Sequence, residues 1–166
     1  FALYTLYDPK SQRDVWALPL FGDRPSTGSG RPEPAEGRKP FPVFKSEFNE
    51  DAAELSPDGR WIAYQSNESG RYEVYVQPFP LAGGKWQIST SGGDQPRWRR
   101  DGKELYYLDP ARKLMAVAVQ SEANQFRPGV PTFLFESRAS GGGGTVLGVT
   151  YSLYAPLQNG ERFLLV

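Results

Sequence analysis

The chain has 166 residues with 19 basic and 19 acidic side chains, and it contains neither histidine nor cysteine. These counts exclude a Ser-His-Asp or Cys-His catalytic arrangement, a zinc site with the usual ligands and a thiol redox pair. Because the charges balance, the chain lacks the positive excess typical of nucleic-acid-binding surfaces. With 18 glycines, 15 prolines and 14% aromatic residues, the composition favours an all-β domain with many turns.

The first predicted strands cover residues 2–7, 14–20 and 41–45. Residues 22–39 separate the second strand from the third, and they are rich in proline, glycine, serine, glutamate and arginine without apolar periodicity. Such a composition predicts a surface loop. We therefore expect residues 1–46 to form an incomplete four-stranded unit that carries a loop insertion.

The most informative pattern follows this unit. Leu-Ser-Pro-Asp-Gly-Arg-Trp-Ile-Ala-Tyr at 55–64 returns 43 positions later as Trp-Arg-Arg-Asp-Gly-Lys-Glu-Leu-Tyr-Tyr at 98–107. Pro57 presets the backbone φ angle, Asp58 can bond to the backbone, and Gly59 adopts the next turn position without steric cost, which predicts a hairpin. Repeats of about 40 to 45 residues with four strands each are typical of β-propeller blades.

The repeat predicts complete blades at 48–90 and 94–137. Both contain strands that are apolar on their two faces, such as Trp61 to Tyr64 and Leu105 to Leu108. Strands have this pattern when both faces of their sheet are covered. We therefore expect each blade to pack between two others.

The turn recurs as Asp101-Gly102 and again as Asn159-Gly160, within a further blade that begins at 151–166. A loop insertion at 138–150 precedes that blade. Its glycine tract, residues 140–144, lacks the following helix start or lysine of an anion cradle, so we interpret it as a flexible loop. Three and a half blades do not close a ring, since propellers have four to eight. We expect the chain to be part of a larger propeller, or to close by self-association.

The stretch Ser-Pro-Asp-Gly-Arg-Trp-Ile-Ala-Tyr-Gln-Ser at 56–66 resembles the TolB-like propeller repeat, a relative of the WD repeat. Gly70, Val74-Tyr75-Val76 and the Pro96-Arg97-Trp98 opening of the next copy extend the resemblance. It implies a partial β-propeller in an extracytoplasmic, periplasmic bacterial location. Similar propellers bind partner proteins in TolB, cover the catalytic domains of prolyl peptidases, or form C-terminal modules of bacterial Ser/Thr kinases.

We accordingly expect a non-catalytic module that binds a protein or peptide, with no metal or other cofactor, no nucleic acid and no membrane insertion. One alternative is a sensor or substrate-gating propeller of a larger enzyme, either a Ser/Thr kinase or a prolyl-type peptidase. Another is a glycan-binding propeller. The chain itself contains no kinase signature, because both His-Arg-Asp and Asp-Phe-Gly are absent.

In a propeller, loops between second and third strands emerge on the same face as loops that join successive blades, and loops on a rigid scaffold carry binding. The candidate partner-binding residues in these loops are Asn49, Glu50, Asp51, Asn67, Glu68, Arg71, Asp94, Gln95, Arg97 and Arg112. The turn residues Pro57, Asp58, Gly59, Asp101, Gly102, Asn159 and Gly160 are expected to be structural.

Two of these groups allow other interpretations. Residues 49–51 with Glu54 offer oxygen ligands for calcium, but the alternating spacing of a calcium loop is absent and a solvated loop explains them equally well. Arg97 and Arg99 share one face of a predicted strand. We expect these arginines to line the central channel or to pair with Glu54 and similar residues of the neighbouring blade.

Overall fold

The computed structural model describes residues 1–9, 12–20, 39–44, 46–80, 83–122, 125–137, 144–146, 149–157, 160 and 162–165. Within these ranges the only regular secondary structure is β-strand. The loop predicted at 22–39, except Lys39, lies outside them, as do Asn159 and the glycine tract apart from Gly144.

The strands of the described residues are β1 (Ala2–Asp8), β2 (Gln12–Leu18), β3 (Phe41–Pro42), β4 (Glu50–Leu55), β5 (Trp61–Ser66), β6 (Glu73–Pro78), β7 (Trp86–Gln87), β8 (Asp94–Trp98), β9 (Glu104–Leu108), β10 (Lys113–Glu122), β11 (Gln125–Pro128), β12 (Thr132–Glu136), β13 (Gly144–Val146), β14 (Val149–Tyr151), β15 (Tyr154–Pro156) and β16 (Phe163–Leu165).

These strands form successive antiparallel meanders. The first sheet has the order β1-β2-β3 and the second has the order β4-β5-β6-β7. The third sheet has the path β8-β9-β10, and both β11 and β12 pair with β10. Two further pairs are β13-β14 and β15-β16. The all-β fold class is therefore confirmed.

Apolar clusters lie between successive sheets. The alternation along β5 shows how, because Trp61 and Ala63 belong to the cluster shared with the third sheet, whereas Ile62 and Tyr64 belong to the cluster shared with the first. In β9, Leu105 faces the second sheet and Tyr106 faces the cluster with β15 and β16. Successive side chains of a strand point to opposite faces, so the two-sided apolar pattern places each inner sheet between two neighbours.

The third sheet differs from the expected four strands. The first half of β10 pairs with β12, and the second half pairs with β11, a strand that the sequence pattern did not predict. This extension buries Phe126, whose ring centroid is 5.1 Å from that of Trp61 and 5.2 Å from that of Trp86 in the second sheet. The β10-β11 hairpin therefore contributes to the packing between sheets.

Three hairpin corners share one backbone geometry. Gly59, Gly102 and Gly160 have φ angles of 71°, 73° and 74°. The backbone N–H of each glycine donates to the carbonyl oxygen three residues earlier, at 2.8, 2.8 and 2.9 Å. A turn that ends in a left-handed residue joins antiparallel strands without splaying them, and glycine adopts that conformation at least cost.

Candidate functional site

The meanders have two ends. The connections 46–49, 67–72, 88–93 and 109–112 lie at one end, which we call the loop face, and the Asp-Gly corners lie at the other, the corner face. On the loop face, the backbone N–H of Asn49 donates to Asn67 Oδ1 at 2.9 Å, and Asn49 Nδ2 donates to Gln12 Oε1 at 2.6 Å. Side-chain hydrogen bonds therefore link the first and second sheets at this face.

A fully buried carboxylate lies beneath this contact. Asp51 is 0% exposed and accepts hydrogen bonds from Thr5 Oγ1 at 3.2 Å, from the Ala52 N–H at 2.7 Å and from Arg13 Nη1 at 2.9 Å. The side chain of Arg13 is 37% exposed, so it covers the carboxylate and also reaches solvent. Sequence reasoning missed Arg13 because it lies in the first sheet, 38 residues before its partner.

A second buried carboxylate has the same arrangement. Glu73, 1% exposed, accepts hydrogen bonds from Arg71 Nε at 2.7 Å, from the Gly92 N–H at 2.8 Å and from the Ser89 hydroxyl. Arg71 is 60% exposed, and its Nη2 also donates to the Thr90 carbonyl at 2.6 Å. Arg71 thus lies on the loop face, as expected, and an acid that sequence reasoning did not select holds it there.

The third sheet contributes Asp94 and Arg112, whose side chains lie 3.5 Å apart. Burial raises the pKa of Asp94, and the Arg112 guanidinium lowers it. Both side chains are about one-third to one-quarter exposed, so they reach the loop face beside residues 88–93.

Gln95 is buried and connects three sheets. Its backbone N–H donates to Gln65 Oε1 at 2.9 Å, its Oε1 accepts from the Leu153 N–H at 2.8 Å, and its carbonyl accepts from the Tyr154 hydroxyl at 2.7 Å. A side chain that is 2% exposed does not present these groups to a partner. Gln95 therefore supports the loop face from below.

The second and third sheets share an unusual backbone conformation at the level of these buried residues. Ala52 and Gln95, 43 positions apart, have φ angles of 50° and 54°, and each lies where the first strand of its sheet shifts register. Non-glycine residues rarely adopt this left-handed conformation, and it is found where the surrounding structure fixes it. The repeat thus includes a bulge that positions Asp51 and Asp94.

Glu50 is also beneath the surface, at 3% exposed. It accepts a hydrogen bond from the Ser46 hydroxyl, whereas its Oε2 has no partner among the described residues. Burial, followed by the negative charges of Asp14 and Glu68, raises the pKa of Glu50 to about 7. Glu68 itself lies nearer the surface and pairs with Lys85.

Arg97 lies on the first strand of the third sheet, 3.9 Å from the Glu54 carboxylate on the first strand of the second. The Trp98 N–H donates to the same carboxylate at 2.9 Å. Burial raises the pKa of Glu54, and Arg97 lowers it. The pairing expected for Arg97 is therefore present, while Arg99 pairs with Asp101 in its own corner.

On the corner face, a cavity of about 260 Å³ lies between the Asp58 and Asp101 turns, with Trp61 and Trp98 in its wall. Partial burial favours a higher pKa for Asp58, but hydrogen bonds from Ser56 and Arg60 outweigh it and lower that pKa. The Arg99 guanidinium lowers the pKa of Asp101. Both carboxylates are ionised and already hydrogen-bonded within their turns, so we place the candidate site on the loop face instead.

Two further properties concern only the part of the chain that the structure describes. No three acidic side chains there are grouped so that they could hold a metal ion, and each of the carboxylates proposed for calcium, at Glu50, Asp51 and Glu54, accepts at least one hydrogen bond from a protein donor. None of the described segments is a helix of the length and apolar character that a membrane span requires.

No protein-family model and no curated protein matches this sequence. Among solved structures, the chain is similar to TolB from Acinetobacter baumannii, with 19% identity and a TM-score of 0.50 over 76% of this chain and 29% of that one. It is also similar to putative TolB from Agrobacterium tumefaciens, with 13% identity and a TM-score of 0.51 over 79% of this chain and 45% of that one. The chain therefore spans less than half the length of either protein.

At these identities the likeness concerns the fold, and it agrees with the stacked meanders and their repeated corners. The loop face lies at the end of the sheets where successive meanders connect, and its arginines stand over buried acids. The chain therefore has the TolB-like β-propeller fold.

Proposed function

We propose that this chain is a non-catalytic module that binds a protein or peptide partner through the loop face. The observation that supports this proposal is that hydrogen bonds within and between sheets hold the polar groups of this face in place. Asn49 bonds to Gln12 of the first sheet, and Arg71 bonds to Glu73 within the second. Loops held by a rigid scaffold lose little conformational entropy on binding, which favours recognition.

The residues of the proposed contact differ from those chosen by sequence alone. Asn49, Asn67, Glu68, Arg71, Asp94 and Arg112 reach the surface to different extents, and Arg13 joins them. Glu50, Asp51 and Gln95 support this surface from below. Arg97 contributes through its pairing with Glu54, which joins the first strands of the third and second sheets.

The proposal extends to ring closure and to location. Tyr4 and Trp16 are paired in the first sheet as Tyr64 and Tyr75 are paired in the second. Tyr64 and Tyr75 pack against the first sheet, so the equivalent Tyr4 and Trp16 lie on the outer face of the first sheet. We propose that further blades, or a second copy of the chain, cover this face. From the TolB-like resemblance we also propose an extracytoplasmic bacterial location, which fractionation of cells that express the gene would test.

Selection of random twelve-residue peptides against the purified chain tests the binding function. Hydrogen exchange should show that the selected peptides protect the connections 46–49, 67–72 and 88–93. Protection confined to the corner face, at 56–60 and 99–103, would contradict the assigned surface. Recovery of no binder would contradict peptide binding itself, and binding to a glycan array would favour the glycan-binding alternative.

A further inference from the structure

We propose that the partner segment bound at the loop face is acidic, and that Arg13 and Arg71 bind its carboxylates. This inference rests on the proposed binding function and specifies the chemistry of the partner. Its basis is the repeated arrangement of a partly exposed arginine over a buried, fully hydrogen-bonded acid.

The buried acids determine how each guanidinium is oriented. Arg71 Nε donates a hydrogen bond to Glu73 and Nη2 donates one to the Thr90 carbonyl, while Nη1 has no partner among the described residues. Arg13 Nη1 donates a hydrogen bond to Asp51, while its Nε and Nη2 have no partner among the described residues. An arginine has five N–H donors in a planar fork. Both arginines therefore have N–H donors left for a ligand, while their hydrogen bonds to the buried acids hold the guanidinium groups in position.

The two arginines belong to one continuous surface. Tyr72 follows Arg71 in the chain; burial raises the pKa of its phenol, and the nearby Arg13 guanidinium opposes that increase. The Tyr72 carbonyl accepts a hydrogen bond from the Gly93 N–H at 3.0 Å. The Tyr72 side chain thus adds a hydroxyl beside Arg13, and its backbone links this position to the connection 88–93.

Carboxylates suit this surface better than polyphosphates. Each arginine is neutralised locally by the acid beneath it, so recognition depends on directed N–H donors and not on a large positive potential. The whole chain has equal numbers of basic and acidic residues, 19 of each. Nucleic-acid affinity depends mainly on excess positive charge, which this surface does not supply. An acidic peptide needs only one or two bidentate contacts.

The test uses fluorescence anisotropy with a labelled ten-residue peptide that carries four glutamates among glycine and serine. Control peptides replace each glutamate by glutamine or by lysine, and a ten-nucleotide oligothymidylate and inorganic phosphate are further probes. Arg13→Lys and Arg71→Lys keep the charge above Asp51 and Glu73 but remove the planar fork. Arg60→Lys is the matched control, because Arg60 pairs with Asp58 on the corner face.

The glutamate peptide should bind more tightly than the glutamine and lysine peptides. Each loop-face variant should weaken binding about three- to tenfold, with thermal melting close to that of the parent, whereas Arg60→Lys should leave affinity unchanged. The Nε–H resonances of Arg13 and Arg71 should also shift as the peptide is added. Higher salt should weaken binding, because the contacts are charge-assisted.

Equal affinity for the glutamate and glutamine peptides would overturn the inference, as would binding that neither loop-face variant affects. Tighter binding of oligothymidylate would assign the arginines to phosphate instead. If selected neutral peptides protect the loop face while the glutamate peptide does not bind at about 1 mM, this inference fails and the proposed function stands.

Discussion

Replacing Glu50 by glutamine is expected to remove a specific part of the pH dependence of stability. The folded protein raises the pKa of Glu50 to about 7 from an ordinary value of 4.5, chiefly because the carboxyl is buried. Its Ser46 hydrogen bond acts in the opposite direction but does not compensate. Asp14 and Glu68 add repulsion, and Lys85 opposes them.

The sign follows from proton linkage. Because the folded pKa exceeds the unfolded value, the folded state holds a proton between pH 4.5 and about 7 that the unfolded state has released. The stability that Glu50 contributes is therefore complete below pH 4.5 and is lost as pH rises to about 7. A shift of this size corresponds to about 3 kcal/mol, at 1.36 kcal/mol per pKa unit.

Urea denaturation of the parent and of Glu50→Gln at a series of pH values from about 4 to 8 measures this loss. The free energy of unfolding of the variant, relative to that of the parent, should rise by about 3 kcal/mol across the series. Any constant cost of burying the glutamine amide cancels in this difference. Glu122→Gln, which changes an exposed acid, should give a curve parallel to the parent. A parallel curve for Glu50→Gln would refute the reasoning.

Three other substitutions, each with a control substitution, test the packing and the buried hydrogen bonds. Gly160→Ala should cost more than the roughly 1–2 kcal/mol expected for Gly59→Ala from left-handed strain, because a Cβ at 160 would lie 2.2 Å from the Tyr106 hydroxyl whereas one at 59 meets nothing within 4 Å. Equal losses in urea denaturation would contradict the contact between the last corner and the third sheet. Phe126→Ala should cost about 3–5 kcal/mol and alter tryptophan fluorescence, while Phe133→Ala, at a side chain 54% exposed, should change both little. Glu73→Ala should lower the free energy of unfolding by about 3 kcal/mol, because it leaves three buried donors without an acceptor. If Glu73→Ala and Asp101→Ala melt at the same temperature, this buried network does not stabilise the fold.

The sequence indicated on which face the candidate site lies, but it did not indicate all of the side chains that form the site. The loop order along the repeat indicated one face, and Arg71, Asp94 and Arg112 do reach it. The pairing of Arg13 with Asp51 joins different sheets and leaves no local pattern. The burial of Gln95 depends on Leu153 and Tyr154, nearly 60 residues later. Such long-range contacts depend on tertiary packing, which periodicity does not report.

By itself, the sequence determined the local structure that short-range chemistry controls. The recurring Asp-Gly turn and the alternation along Trp61 to Tyr64 predicted antiparallel sheets packed on both faces, because turn geometry and side-chain alternation act over a few residues. Only the tertiary structure decided that Phe126 fills the cluster of Trp61 and Trp86, and that arginines lie above buried acids on the loop face. Those arrangements depend on which sheets become neighbours, so their energies are realised only when distant segments meet.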